Sequence, residues 1–185
     1  MQIKNELRQK YKSLRRNIEN KEDKGKSICE KFISSELFKN AQEILCYYPL
    51  GDEVNTVEII ETALSSNKKV ALPLCIDKNG KMDFYYINSI ADLKKGSFSI
   101  MEPDIEKCVK CTEFSNAVCL VPALSFDLKG YRLGYGKGYY DRFLEKFTYI
   151  SAGLCYNELI AEELPHDSYD KKVDYIFTDN QIFKL

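Results

Sequence analysis

The amino-acid sequence predicts an α/β fold, in which a largely parallel sheet is covered by helices on both faces. Short apolar runs that are typical of buried strands alternate with stretches whose apolar residues recur at helical spacing. Such alternation predicts right-handed crossovers, which make neighbouring strands parallel and place helices on the two faces. The 185 residues contain no linker rich in Pro, Gly or Ser, so residues 1–185 are expected to form a single domain.

Two helices are expected before the first strand. The opening stretch MQIKNELRQKYKSLRRNI places apolar side chains at helical spacing. The side chains expected on its inward face are Ile3, Leu7, Tyr11, Leu14 and Ile18. Lys4 and Arg8 lie four residues apart and therefore one turn above each other on this helix. A second helix is expected from Ser27 to Phe38.

The strands follow in order from residue 43. EILCYYPL is the first, KKVALPLCI the second and the aromatic run MDFYYI the third. A helix between the first two is expected to begin with Asn55 or Thr56 as its N-cap. After a loop-rich region from Asp92 to Thr112, NAVCLVPALSFD is the most hydrophobic strand, and YISAGLCY and VDYIFTD complete the sheet.

Composition and charge exclude several classes of protein. The formal net charge is −1, which argues against a dedicated nucleic-acid-binding protein because such proteins bind by neutralising phosphates. No apolar run reaches the ~20 residues of a membrane span, and the N-terminus lacks the apolar core of a signal peptide. The seven cysteines are odd in number and are expected to be reduced thiols. We therefore expect a cytoplasmic protein without membrane or nucleic-acid partners.

The segment YRLGYGKGYYDRFL carries glycine at alternate positions, Gly134, Gly136 and Gly138, ahead of a predicted helix. It is not a P-loop, because Lys137 is followed by glycine instead of continuing to serine or threonine. It is not a dinucleotide fingerprint either, since Tyr139 stands where the third glycine of that motif belongs. Alternate glycines nevertheless let a backbone adopt positive φ and approach a ligand closely.

The charges of this loop indicate a phosphate ligand. The helix that follows presents unpaired amides and the positive end of its dipole, and Arg132 and Lys137 add two cations. Asp141, at the helix entrance, can cap those amides or bind a hard cation such as Mg²⁺. The loop therefore predicts a polyphosphate site, with an ordinary strand-to-helix turn as the alternative.

Further polar residues are associated with other strands. Tyr48 and Glu53 follow the first strand, residues 127–140 follow the most hydrophobic one, and Asp174 lies in the last. Ligands of largely parallel sheets bind at the carboxyl ends of the strands. We therefore expect these residues to gather at that edge, together with the glycine loop.

The segment VPALSFDLKGYRLGYGKGYYDRFL resembles the signature of the 5-formyltetrahydrofolate cyclo-ligase family, also called methenyltetrahydrofolate synthetases. That signature is F-D-x-x-G-x-R-L-G-x-G-x-G-Y-Y-D-R after a strand that contains proline. An N-terminal K-x-x-x-R helix, D-E-V-x-T after the first strand and a closing V-D-x-I-x-T-D follow the family's order. The resemblance covers essentially the whole chain.

The resemblance implies a reaction and a fold. The reaction is ATP-dependent, Mg²⁺-requiring ring closure of 5-formyltetrahydrofolate to 5,10-methenyltetrahydrofolate, which releases ADP and phosphate. The implied fold is a three-layer α/β/α sandwich similar to those of ribose-5-phosphate isomerase and the CoA transferases. The expected partners are these small molecules, and the expected assembly is a monomer or a weak dimer.

The resemblance also implies roles for individual residues. The implied ATP-binding positions are Lys4, Arg8, Arg132, Leu133, Gly134, Tyr135, Gly136, Lys137, Gly138, Tyr139 and Tyr140. The implied folate-binding positions are Tyr48, Glu53, Tyr135, Gly136, Lys137, Gly138 and Tyr139. Lys137 and Arg132 are the expected catalytic cations, and Asp141 and Asp174 are the expected Mg²⁺ ligands.

Two other functions stay open on the sequence. An isomerase of sugar phosphates, or a relative that handles acyl-CoA, would use the glycine loop for one phosphate and would act without ATP. A binding protein that has lost turnover would keep the loop and its affinity for folate or nucleotide. The presence of Lys137, Asp141 and Asp174 argues against that loss.

Overall fold

A computed structural model describes residues 2–77, 79–96 and 100–185. Its helices are α1 (Gln2–Arg16), α2 (Lys21–Ser34), α3 (Glu36–Asn40), α4 (Val57–Ser65) and α5 (Tyr139–Leu144). Its strands are β1 (Glu43–Leu45), β2 (Lys69–Cys75), β3 (Met82–Ile87), β4 (Leu93–Lys95), β5 (Met101–Pro103), β6 (Val109–Lys110), β7 (Ala117–Val121), β8 (Ser125–Asp127), β9 (Arg132–Leu133), β10 (Ile150–Leu154), β11 (Ile160–Ala161), β12 (Tyr175–Phe177) and β13 (Ile182–Lys184).

An eight-stranded sheet forms the centre, in the order β13-β12-β10-β7-β1-β2-β3-β6. The five strands from β12 to β2 are parallel, whereas β13, β3 and β6 pair antiparallel at the two edges. The central strands β1 and β7 are buried along their whole length, as expected where both faces of a parallel sheet are covered. The prediction of an α/β fold with a largely parallel sheet is confirmed.

Two predicted elements are divided in the structure. The helix expected from Ser27 to Phe38 is broken at Ser35, whose extended backbone (φ −73°, ψ 154°) ends α2. The Ser35 hydroxyl accepts a hydrogen bond from the Phe38 amide at 3.2 Å and so caps α3. The long strand NAVCLVPALSFD becomes β7 and β8, separated at Pro122, which has no amide to donate to a ladder.

The second of these divisions positions the glycine loop. Strand β8 leaves the central sheet and joins a three-stranded sheet in the order β11-β8-β9. Phe126 of β8 is fully buried and lies so close to Gly153 of β10 that a Cβ on this glycine would clash with its ring. Glycine at 153 therefore lets the small sheet pack directly against β10, and β9 leads from there into the glycine loop.

Helix α1 packs beside this loop, although its inward face differs from the predicted one. Ile3 and Leu14 are exposed, and the buried side chains of the helix are Tyr11 and Arg15. The helix contacts β9 and the turn at residues 157–159. No helix in the described ranges is both long and apolar enough to cross a membrane.

Candidate active site

The glycine loop has the backbone that its sequence predicts at two of three positions. Gly136 and Gly138 have φ values of 95° and 69°, in the region that favours glycine. A Cβ on Gly136 would lie 3.0 Å from Cζ of Arg8, whereas a Cβ on Gly134 would have no atom within 4 Å. The loop is therefore tight against α1 at Gly136 and open at Gly134.

A buried aspartate holds the base of the loop. Asp127 Oδ1 accepts hydrogen bonds from the amides of Lys129 and Tyr131, both at 3.0 Å, and its Oδ2 accepts one from Leu164 at 2.9 Å. A carboxylate that accepts three amides fixes a turn firmly. Asp127 thus closes the β8–β9 hairpin and positions the chain that enters the loop.

The two cations of α1 that were predicted to bind ATP, Lys4 and Arg8, have different partners. Arg8 Nε donates to the Gly134 carbonyl at 2.9 Å, so this guanidinium contacts the glycine loop. Lys4 Nζ donates to Asp170 at 2.6 Å and to Asp167 at 3.2 Å. Burial lowers the pKa of Lys4, but the bonds with these two carboxylates outweigh it and raise the pKa overall. Lys4 therefore joins α1 to the C-terminal segment.

Arg132 and Asp141 form an ion pair beneath the loop. Arg132 Nη2 lies 2.7 Å from Asp141 Oδ1, and its Nη1 donates to the Lys171 carbonyl at 2.5 Å. The Arg132 side chain is only 5% exposed. This guanidinium therefore holds the start of α5 against residue 171, and its catalytic role stays a prediction.

Lys137 is the exposed cation of the loop. None of the hydrogen bonds or ion pairs among the described residues engages its ammonium, while its carbonyl accepts a bond from Arg142 at 3.0 Å. An ammonium on a flexible stem can follow a charge as it develops. The geometry is therefore compatible with the predicted contact between Lys137 and a phosphoryl group.

The two tyrosines that follow close the other side of the loop. Tyr139 donates its hydroxyl to the Asp77 carbonyl at 2.6 Å, which links the loop to the β2–β3 connection. Tyr140 packs against the core, and its hydroxyl is buried without a hydrogen-bond partner among the described residues. Burial raises the pKa of both phenols, so both stay protonated donors at neutral pH.

A narrow cleft adjoins the loop at the carboxyl ends of β1, β7 and β10. Its lining residues are Arg15, Tyr47, Glu53, Val54, Pro122, Ala123, Leu154, Cys155, Tyr156 and Leu159. Tyr135 of the loop reaches into this region: its hydroxyl donates to Glu53 Oε1 and accepts a bond from Arg15 Nη2 at 3.0 Å. Tyr135 therefore joins the glycine loop to the cleft.

Glu53 is half-buried and held in place by a backbone amide. Its Oε2 accepts a hydrogen bond from the Leu50 amide at 2.9 Å. Burial raises the pKa of Glu53, and the bonds from Tyr135 and Leu50 and the charge of Arg15 offset that rise only in part. Tyr48, the other predicted folate contact, is half-buried against the core three residues after β1. Its contact with folate stays a prediction.

The predicted metal ligands have separate surroundings. Both bonds to the Asp141 carboxylate, from Arg132 and from the Lys171 amide, end on Oδ1, so Oδ2 can bind a cation. Asp174 instead precedes β12, and its Oδ2 accepts the Ser151 amide and hydroxyl, both at 2.8 Å, at the amino-terminal end of β10. The expectation that Asp174 lies at the carboxyl ends of the strands is wrong, because β12 begins one residue after it.

Sequence reasoning did not single out Arg15, which lines the cleft and bonds Tyr135. Arg15 lies four residues after Tyr11, and both side chains are buried on the same face of α1. The signal was present in the sequence, because an arginine at helical spacing from an inward aromatic is placed towards the core. It was obscured by the neighbouring basic residues, which resemble a solvated helix face.

The chain is similar to known proteins over most of its length. The family model described as the 5-formyltetrahydrofolate cyclo-ligase family matches residues 1–179. The 5-formyltetrahydrofolate cyclo-ligase of Mus musculus is 29% identical over 187 residues, which cover 95% of this chain and 91% of the mouse protein. The cyclo-ligase of Haemophilus influenzae is 30% identical over 139 residues, which cover 71% of this chain and 73% of that protein.

The chain is also similar to solved structures. The NMR structure of Aquifex aeolicus 5,10-methenyltetrahydrofolate synthetase matches with a TM-score of 0.83 and 32% identity, and the match covers 98% of this chain and 92% of that one. Similarity thus extends over the sheet, the glycine loop and the cleft together. The chain belongs to the 5-formyltetrahydrofolate cyclo-ligase family, a family of ligases.

Proposed function

We propose that this protein closes the ring of 5-formyltetrahydrofolate to 5,10-methenyltetrahydrofolate in a reaction that consumes Mg-ATP and releases ADP and phosphate. The observation that carries the proposal is that Tyr135 belongs to the glycine loop and also donates a hydrogen bond to Glu53 in the cleft. A polyphosphate on the loop and a pterin in the cleft would therefore meet at this residue. The substrates' reacting atoms belong at that junction.

The chemistry requires activation of the formyl group. A formamide carbon is a poor electrophile, and its oxygen cannot leave as hydroxide. Attack of the formyl oxygen on the γ-phosphorus of ATP breaks the bond to the leaving ADP oxygen and converts the formyl oxygen into a phosphate ester. N10 then attacks the formyl carbon, phosphate departs with that oxygen, and loss of the N10 proton leaves the methenyl bridge.

The protein's contribution to phosphoryl transfer is alignment and charge neutralisation. Arg8 and the glycine backbone would hold the triphosphate, since the guanidinium already lies against the Gly134 carbonyl. Lys137, whose ammonium is unengaged by the described residues, would follow the charge on the transferred group. Arg132 supports the loop from below through Asp141.

The residues present fit one Mg²⁺ ion at Asp141. Mg²⁺ usually keeps several waters and binds one or two carboxylates together with phosphate oxygens, and Asp141 offers Oδ2 beside the loop. The bound ion would supply neutralising charge to the phosphates. Asp174 is not part of this proposal, because it precedes β12 and its Oδ2 accepts the Ser151 amide and hydroxyl.

The cleft would bind the pterin ring. Glu53 suits the guanidine-like edge of a pterin, since a carboxylate accepts two parallel hydrogen bonds. Its bond from Leu50 orients the carboxylate towards the cleft before substrate arrives. A cytoplasmic location and a monomeric or weakly dimeric state belong to the same proposal, and sedimentation of the purified protein tests the latter.

The decisive assay follows the near-ultraviolet absorbance of methenyltetrahydrofolate after 5-formyltetrahydrofolate and Mg-ATP are mixed with purified protein. We expect the absorbance to rise only when folate, ATP and Mg²⁺ are all present. A rise without ATP would contradict the phosphorylation route. A constant absorbance with folded protein that binds ATP would indicate a binding protein that has lost turnover.

A further inference from the structure

We propose that Arg15 determines specificity in the pterin cleft by donating a hydrogen bond to the C4 oxygen of the ring, beside the N3–H that Glu53 accepts. The inference rests on the proposed function, because it assumes that a pterin enters this cleft. It predicts that the protein selects 4-oxo pterins and rejects their 4-amino counterparts.

Arg15 is a cation buried where ordinary packing would place an apolar side chain. Its residue is 7% exposed, and Nη1 donates to the Ala123 carbonyl at 3.2 Å. Its Nε is fully buried and has no partner among the described residues. A buried charge with an unmet donor costs free energy, so its place in the wall of the cleft indicates a ligand.

The hydroxyl of Tyr135 shows which ligand pattern the site accepts. This single oxygen accepts a bond from Arg15 Nη2 at 3.0 Å and donates one to Glu53 Oε1. The lactam edge of a 4-oxo pterin has the same pattern, because its C4 oxygen accepts and its adjacent N3–H donates. Tyr135 therefore occupies the place between Arg15 and Glu53 that a lactam would fill.

A pterin can enter only if this hydroxyl leaves. The cleft encloses about 10 Å³, which is roughly the space that one water molecule needs. Tyr135 is an exposed residue between Gly134 and Gly136, and glycine on both sides allows backbone angles that other residues rarely adopt. Its departure leaves Nη2 of Arg15 without an acceptor and Oε1 of Glu53 without a donor, and a lactam restores both bonds.

A 4-amino pterin presents the opposite pattern. Its C4 amino group places N–H donors against the guanidinium, and its N3 presents a lone pair to the carboxylate. A site whose buried polar groups are left unpaired rejects such an analogue, by about 10- to 100-fold for one or two mismatched bonds. The discrimination belongs to the pair formed by Arg15 and Glu53.

The test compares two ligands in each protein. We would measure the dissociation constants of 5-formyltetrahydrofolate and of its counterpart with an amino group at C4, without ATP, in wild type, Arg15→Gln and Arg16→Gln. Arg16 is the matched control, because its side chain is 74% exposed and its Nε lies 3.9 Å from Asp52. We expect a 10- to 100-fold preference for the 4-oxo ligand in wild type and Arg16→Gln, and a preference about tenfold smaller in Arg15→Gln, where only the mismatch between N3 and Glu53 is left.

The ratio of the two dissociation constants distinguishes a change in ligand recognition from a loss of folding. Loss of packing around Arg15 would weaken both ligands alike and leave the ratio unchanged, which would overturn the inference. If Arg15→Gln does not fold, the wild-type ratio decides alone, because a ratio near one or in favour of the 4-amino ligand overturns it. Kinetics add a second readout: KM for the folate should rise in Arg15→Gln while KM for ATP stays constant.

The outcomes also separate this inference from the proposed function. A protein that prefers the 4-oxo ligand and loses most of that preference in Arg15→Gln, yet forms no methenyltetrahydrofolate, keeps the role of Arg15 and contradicts the reaction. A protein that turns over with a ratio unaffected by Arg15→Gln keeps the reaction and contradicts the role of Arg15.

Discussion

Replacing Gly136 by alanine should weaken ATP binding through Arg8. At a φ of 95°, a Cβ costs about 1–2 kcal/mol of folding free energy. The same Cβ would lie 3.0 Å from Cζ and 3.1 Å from Nη2 of Arg8, so the guanidinium must shift by a few tenths of an ångström and its bond to the Gly134 carbonyl is weakened. A bond from a charged group is worth about 1.5 kcal/mol in full, and we therefore expect ATP affinity to fall by up to about tenfold.

Gly51→Ala is the matched control for this prediction. Gly51 also has positive φ, 59°, but a Cβ there would meet no atom within 4 Å. Chemical denaturation should show a comparable loss of stability in both variants, whereas calorimetric titration with Mg-ATP should show weaker binding only in Gly136→Ala. Equal ATP affinity in the two variants would refute the reasoning that Arg8 and the glycine loop hold the nucleotide.

Three further predictions concern charged residues. Asp141→Asn should lower the free energy of unfolding by about 2 kcal/mol, because it removes the partner of the buried Arg132 while Asp141 itself is 26% exposed; chemical denaturation measures this effect. The same variant should bind Mg²⁺ more weakly, which a titration of turnover against Mg²⁺ concentration measures. Lys137→Ala should lower kcat by about 10²- to 10³-fold. Its thermal stability should be unchanged, since the side chain is exposed, and a normal kcat would contradict the role of Lys137. Folate affinity should fall on acidification, and at a higher pH than for an ordinary glutamate, because burial raises the pKa of Glu53 and only the carboxylate accepts two bonds. A Glu53→Gln variant should lack this pH dependence.

The raised pKa of Glu53 has a defined effect on stability as well. A carboxyl group whose pKa is higher in the folded than in the unfolded state binds its proton more tightly when folded. Its contribution to stability is therefore fully present below its ordinary pKa and is lost as pH rises through the raised value. Comparing the pH dependence of unfolding in wild type and Glu53→Gln would isolate this contribution, and identical curves would contradict the shift.

Much of the fold could be predicted because it depends on local patterns. The buried strands and α4 are continuous apolar or periodic runs, and their alternation led to the largely parallel sheet that the structure has. The strands β4, β5, β6, β9, β11 and β13 were not predicted, since each is only two or three residues long and the strand conformation of such short segments depends on a partner. The break at Ser35 depends on one capping hydroxyl within a sequence that otherwise continues the helical pattern.

The candidate site, too, could be predicted only in part. The glycine loop could be predicted from the chain alone, because the residue type allows Gly136 and Gly138 to adopt positive φ. Packing of distant segments is what places Asp174 at the amino-terminal end of β12 and brings Arg15 to Tyr135 beside Glu53. Those outcomes depend on how a helix, a loop and three strands pack together, and residues distant in sequence carry no local pattern that specifies such contacts.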